Sequence, residues 1–263
     1  MPNIIYVCGD SHTAGGELVD DLLWPEQHPG FFAETEIDLR DQRQLGRWRE
    51  FRDRSLRNTK PVGMAEWQRL ENEQAWPARL AKLTSAKMVS QALIGASMEW
   101  IARQTLEDVS VLLQDHAPSD IAVIVQPTSR HRCQYHDAAL GWSNYSQSMS
   151  GNGPLYQLLD ANETDTSLMT RWLISIIGLC STMRSLGVGL TLVNTSMPDM
   201  EQSLDLHPEV APLRGLYDRV KQDCWHSRSM GDLAANIATP RCPDLHWNRD
   251  VHQLLAEDIA AKL

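Results

Sequence analysis

The sequence predicts an α/β domain built on a parallel sheet, and three observations carry that prediction. The first is Asn3-Ile4-Ile5-Tyr6-Val7-Cys8, in which five of six residues are apolar. Such a run is too short for a helix and long enough for a strand buried on both faces. The second is Asp120-Ile121-Ala122-Val123-Ile124-Val125, a buried strand of the same kind. The third is helical periodicity between and after these strands, as in Trp76, Leu80 and Leu83 at i, i+4 and i+7. A chain of 263 residues is long enough for one large α/β domain, or for one domain with an elaborate insert.

Taken in order, the first strand ends at Gly9, which lets the backbone turn sharply and leaves Ser11 at the strand's carboxyl end. From His12 to about Gln74 the chain is rich in charge and tryptophan, long for a loop, and leaves directly from Ser11. It reads as a cap-like insert beside the site. Its Arg40 to Arg57 stretch alternates acids and bases, as a solvated helix laced with i,i+4 pairs does. Trp24, Phe31, Phe32, Trp48 and Phe51 either line a substrate groove or form the insert's own small core. The spacing then predicts a helix over Glu73 to Leu83, with Pro77 in its first turn. A second strand follows from Lys87 to Ile94 and ends at Gly95-Ala96-Ser97. Met98 to Leu113 reads as an amphipathic helix, and Asp120 to Val125 as the third strand.

His136 to Asn162, rich in Ser, Gly, Asn and Tyr, reads as a long irregular connection. Beyond it lie a strong helix over Met169 to Leu186, a strand over Leu190 to Asn194, a helix over Leu213 to Val220 and a last helix over Asp250 to Leu263. There are no internal repeats and no low-complexity tract.

Composition excludes several classes. A net charge of −10 argues against a general nucleic-acid binder, which needs clustered Lys and Arg. No run approaches 18 apolar residues, so no membrane span is expected, and the N-terminus lacks the basic region of a signal peptide. Five scattered cysteines without CxxC pairing predict free thiols rather than a disulfide framework or structural zinc. That usage fits a reducing cytoplasm, or a virion assembled there.

The chemistry concentrates at the two ends of the chain. In open α/β sheets ligands bind at the carboxyl edge, and a serine there is a nucleophile if a base reaches it. Pro243-Asp244-Leu245-His246-Trp247-Asn248 supplies an acid and a base two residues apart. In extended backbone those two side chains face the same side. Ser11, His246 and Asp244 are therefore the candidate catalytic triad.

Gly9-Asp10-Ser11 near one terminus, with Asp244-x-His246 near the other, resembles the SGNH/GDSL hydrolase superfamily in its phage and bacterial forms. The resemblance covers the chain through short blocks at both ends and in the middle, around a long unmatched insert. It implies a three-layer α/β/α sandwich with a central parallel sheet, flavodoxin-like in layout. It further implies a single domain over residues 1–263, with the insert at about 12–74. The resemblance also implies an oxyanion hole that includes the backbone N–H groups of Ser11 and Gly95. The family's third donor is an asparagine in a Gly-x-Asn-Asp block after the third strand. This chain has Gln126-Pro127-Thr128-Ser129 there, and Thr128 stands closest by position. The family's commoner Asp-x-x-His spacing would place Pro243 in the acid's position; Asp-x-His also occurs in relatives. His252 matches a histidine common in the last block and is expected to be structural. Arg130, with His131 and Arg132, either binds an anionic group of the substrate or belongs to a solvated loop.

The expected activity is that of a serine hydrolase acting on an ester, O-acetyl and carbohydrate esters included. The expected partner is that small-molecule or carbohydrate ester, with no nucleic acid, no membrane, no cofactor and no metal. The alternative is a non-catalytic binding or structural module on the same fold, for example a phage virion component. Its insert would then make virion or homo-oligomer contacts. A flavodoxin-like nucleotide binder is a third reading, and His12-Thr13-Ala14-Gly15-Gly16 matches its phosphate loop only weakly. The expected location is the cytoplasm, or the virion if the gene is a phage's.

Overall fold

A computed structural model describes residues 2–16, 18–19, 64–137, 141–146, 164–195, 208–238 and 246–263. In chain order the elements are β1 (Ile4–Gly9), α1 (Ser11–Ala14), α2 (Met64–Gln74), α3 (Trp76–Thr84) and β2 (Lys87–Ala92). Next come α4 (Met98–Asp115), β3 (Ile121–Val125), β4 (Arg132–Asp137), β5 (Gly141–Ser146), α5 (Asp165–Ser185) and β6 (Gly189–Leu192). The chain closes with α6 (Ala211–Cys224), α7 (Met230–Ala234) and α8 (Arg249–Ala260).

Among the described residues, four strands form one parallel sheet in the order β2-β1-β3-β6. β1 lies inside it, with Ile4 opposite Lys87 on one side and Ile121 on the other. All six β1 residues are buried, as its apolar run predicts for a strand covered on both faces.

Alternation along β1 sorts its side chains between two cores. Tyr6 and Cys8 join Val123, Val125 and Leu192 under Ile101 of α4, Trp172 and Ile176 of α5, and Tyr217 of α6. Ile5 and Val7 join Ile124 and Val193 under Trp76 and Leu80 of α3, Met230 of α7, and Val251 and Leu255 of α8. Helices therefore cover both faces, and the architecture is a three-layer α/β/α sandwich. Each of these large apolar side chains contributes about 1.5–3 kcal/mol by leaving water.

The expected strands and helices occur within a few residues of their predicted bounds. One reading needs correction: the stretch after His136 is not wholly irregular. β4 and β5 form an antiparallel hairpin, with Cys133 opposite Tyr145, and Leu168 joins those two in a small core of its own. Glu99 of α4 accepts the Gln134 N–H at 2.9 Å and docks the hairpin on the sandwich. Burial pushes the Glu99 carboxyl above its usual range despite that hydrogen bond.

The insert's charged stretch and its Trp24, Phe31, Phe32, Trp48 and Phe51 lie outside the described residues, as does most of the expected cap. Its described tail is helical, as α2. Cys8, Cys133, Cys180 and Cys224 are free thiols; Cys242 is outside the described residues.

Candidate active site

The site begins where β1 ends. Gly9 is obligatory there because a Cβ would lie 2.0 Å from Thr13 Oγ1 and 3.1 Å from Gln126 Cβ. That close approach lets Thr13 donate to Gln126 Oε1 at 2.7 Å, beneath the turn. Gln126 Oε1 also takes the Trp76 indole N–H at 3.4 Å. Asp10 then caps α1, its Oδ1 accepting the His12 backbone N–H at 3.0 Å. Ser11 is the first residue of that helix.

The other half of the site comes from the far end of the chain. Asn248 caps α8 by accepting the N–H groups of Asp250 and Val251, each at 3.1 Å. Trp247 is buried and donates its indole N–H to the Thr195 carbonyl at 3.0 Å. This anchor and the helix fix the chain just after His246, whose Nε2 lies 2.8 Å from Ser11 Oγ across 235 positions of sequence. The contact suits an O–H donating to an unprotonated ring nitrogen, the geometry from which a histidine removes a serine's proton. The His12 ring lies beside that of His246, with centroids 4.8 Å apart.

Of the residues singled out from sequence, Ser11 and His246 meet. Asp244 lies outside the described residues. Gly95 follows β2 on the same edge, two residues after Leu93, whose N–H donates to the Gly9 carbonyl at 3.0 Å. Its φ of +81° favours glycine. Thr128 is buried against the turn that carries Ser11, but its hydroxyl donates to Asp10 Oδ2 at 2.8 Å. A hydroxyl has one proton, so in this arrangement Thr128 has none left for an oxyanion. Arg130 is half-buried at the same edge, its buried Nε without a hydrogen-bond partner among the described residues. His252 is structural, as expected: fully buried, its Nδ1 accepts the Trp76 backbone N–H at 3.0 Å. Burial holds that imidazole well below its ordinary value.

Two further residues shape the site. Arg132 stands in a basic cluster in the sequence, and its Nη1 donates to Asp10 Oδ2 at 3.1 Å and to Thr128 Oγ1 at 2.8 Å. The alternation of Cys133 and Tyr135 after it was the signal of a strand that would aim it. Gly16 is the second. A Cβ on it would meet the His246 ring, which only the fold brings near.

No family model matches the chain, and no curated protein matches it by sequence. Solved structures do. The chain is similar to a member of the lipolytic protein G-D-S-L family from Veillonella parvula. That match has a TM-score of 0.44 and 10% identity, over 97% of this chain and 94% of the other. It is likewise similar to an acetylxylan esterase from Geobacillus stearothermophilus, solved as a catalytic mutant, with a TM-score of 0.49 and 9% identity. That match covers 99% of this chain and 93% of the other. A third is LAE5, an alpha/beta hydrolase enzyme from the metagenome of Lake Arreo, Spain, with a TM-score of 0.49 and 12% identity. It covers 98% and 94% of the two chains.

Proposed function

We propose that this protein is a serine hydrolase that cleaves an ester, with Ser11 as nucleophile and His246 as its general base. The observation that carries this reading is the 2.8 Å contact between Ser11 Oγ and His246 Nε2. It lies at the carboxyl edge of a parallel sheet, where α/β proteins bind ligands.

In this mechanism Nε2 takes the hydroxyl proton as Oγ attacks the acyl carbonyl. The alcohol leaves with that proton, and water repeats the sequence to release the acid. Asp244, two residues before the base, is assigned to hold the imidazole in the tautomer that leaves Nε2 unprotonated. The backbone N–H groups of Ser11 and Gly95 are assigned to the oxyanion. Thr128 serves as a third donor only if substrate draws its hydroxyl off Asp10. Arg130 is assigned to an anionic group of the substrate, and the substrate class is a small-molecule or carbohydrate ester, O-acetyl esters included.

One observation favours a second reading, a non-catalytic binding or structural module such as a virion component. The Thr128 hydroxyl is already engaged, which leaves fewer donors for a developing negative charge. One assay separates the two. Purified protein is given short p-nitrophenyl esters, with Ser11→Ala as the control. Hydrolysis that disappears in the variant supports the enzyme. Equal rates in both proteins, or none in either, support the module.

A further inference from the structure

The residue before the candidate nucleophile is gripped from three directions. Asp10 is only 3% exposed. Its Oδ1 caps α1, while its Oδ2 accepts both the Thr128 hydroxyl and Arg132 Nη1. The same Nη1 donates to Thr128 Oγ1, so one guanidinium nitrogen bridges both acceptors. With Arg132 donating to its oxygen, the Thr128 hydroxyl turns its single proton toward Asp10. The Arg132 side chain is 24% exposed, and a sheltered, charge-assisted bond of this kind is stronger than a surface ion pair.

Each partner is itself anchored. The Thr128 carbonyl accepts the Trp172 indole N–H of α5 at 2.8 Å. Arg132 opens β4, which Glu99 of α4 holds through the Gln134 N–H. Asp10 thus links two fixed elements to the four-residue helix that begins at Ser11.

We propose that Arg132 is a positioning residue, which acts through Asp10 and Thr128 to fix the first turn of α1 and thereby aim Ser11 Oγ at His246. Without Nη1 the Thr128 hydroxyl is free to rotate away from Asp10. A buried carboxylate then loses its cation, and the turn it caps loosens. The structural half of the proposal stands apart from the hydrolase reading, and only its kinetic half rests on that reading.

The test uses the full chain with Arg132→Gln, Arg132→Lys and Thr128→Val. Amide hydrogen exchange, resolved by NMR at His12, Thr13 and Ala14, reports the turn directly. The His12 N–H bonds Asp10 Oδ1, and those of Thr13 and Ala14 bond the Asp10 carbonyl. Arg132→Gln should speed exchange at these three amides by about 10-fold, with the strands of the sheet unchanged. It should lower kcat on a p-nitrophenyl ester by about 10- to 100-fold and keep KM within about 2-fold. Because one nitrogen makes both contacts, Arg132→Lys should restore protection and most of kcat. Thr128→Val should fall between the two.

Unchanged protection in Arg132→Gln would overturn the proposal, as would exchange raised throughout the protein and not rescued by lysine. A rise in KM with kcat preserved would also overturn it, since that result marks a substrate contact. If the wild type hydrolyses no ester the hydrolase reading fails, and the exchange data still decide the positioning role.

Discussion

Gly16 and the His246 ring approach each other so closely that a Cβ on residue 16 would lie 3.2 Å from Nε2 and 3.4 Å from both Cδ2 and Cε1. Backbone conformation does not demand glycine here, because the φ of Gly16 is not positive. Space demands it. Gly16→Ala should displace the ring by a few tenths of an ångström from Ser11 Oγ, and kcat should fall about 10-fold with stability within about 1 kcal/mol of wild type. Steady-state kinetics beside a thermal melt check this; full activity would mean the ring adapts without consequence.

If Ser11 and His246 act as one unit, their losses do not add. Ser11→Ala and His246→Ala should each lower ester hydrolysis by at least about 10³-fold, with the double variant no worse than either single one. Rates from the three variants, with near-wild-type melting curves, provide the check. Additive losses would mean that the two side chains serve separate steps.

Gly9→Ala is expected to damage the fold rather than the chemistry. The new methyl would overlap Thr13 Oγ1 and break the buried bond to Gln126. Overpacking with loss of a buried hydrogen bond should cost about 3 kcal/mol. A urea titration measures this, and an unchanged midpoint would contradict the close approach.

The pH dependence of stability should follow His252. Burial, with His12, Arg79 and His246 acting the same way, keeps this imidazole neutral well below its ordinary titration range. An unfolded histidine titrates near about 6.5, so below that pH the unfolded chain binds a proton that the folded state refuses. Stability from this group is therefore complete above about pH 6.5. It is lost as pH falls toward the depressed folded value, by up to about 1.4 kcal/mol per pH unit. Partly buried His226 is shifted in the same direction and adds to the trend. His252→Asn, whose side-chain oxygen can accept the Trp76 N–H, should flatten the slope in denaturation series between pH 7.5 and 5.5. An unaltered slope would assign the acid sensitivity elsewhere.

The elements most legible in sequence are those whose patterns are local. β1 and β3 are continuous apolar runs because both faces of the strand are covered. α3 and α8 repeat apolar residues at helical spacing because one stripe faces the sheet. The β4–β5 hairpin is faint in the sequence because its own core is small, Cys133, Tyr145 and Leu168, and leaves only a short alternation. Ser11 and His246 could be paired across 235 positions because each stands next to a recognisable element at one end of the chain.

By itself the sequence determined the strands, the helices and the residue types capable of the chemistry, because periodicity and apolar runs are properties of neighbouring residues. Only the tertiary structure decided which atoms bond to which. Thr128 gives its proton to Asp10, Arg132 reaches the turn before Ser11 from a hairpin, and Gly16 leaves room for the His246 ring. Each of those facts depends on distances of a few ångströms between segments far apart in the chain. Packing sets such distances, and no local pattern encodes them.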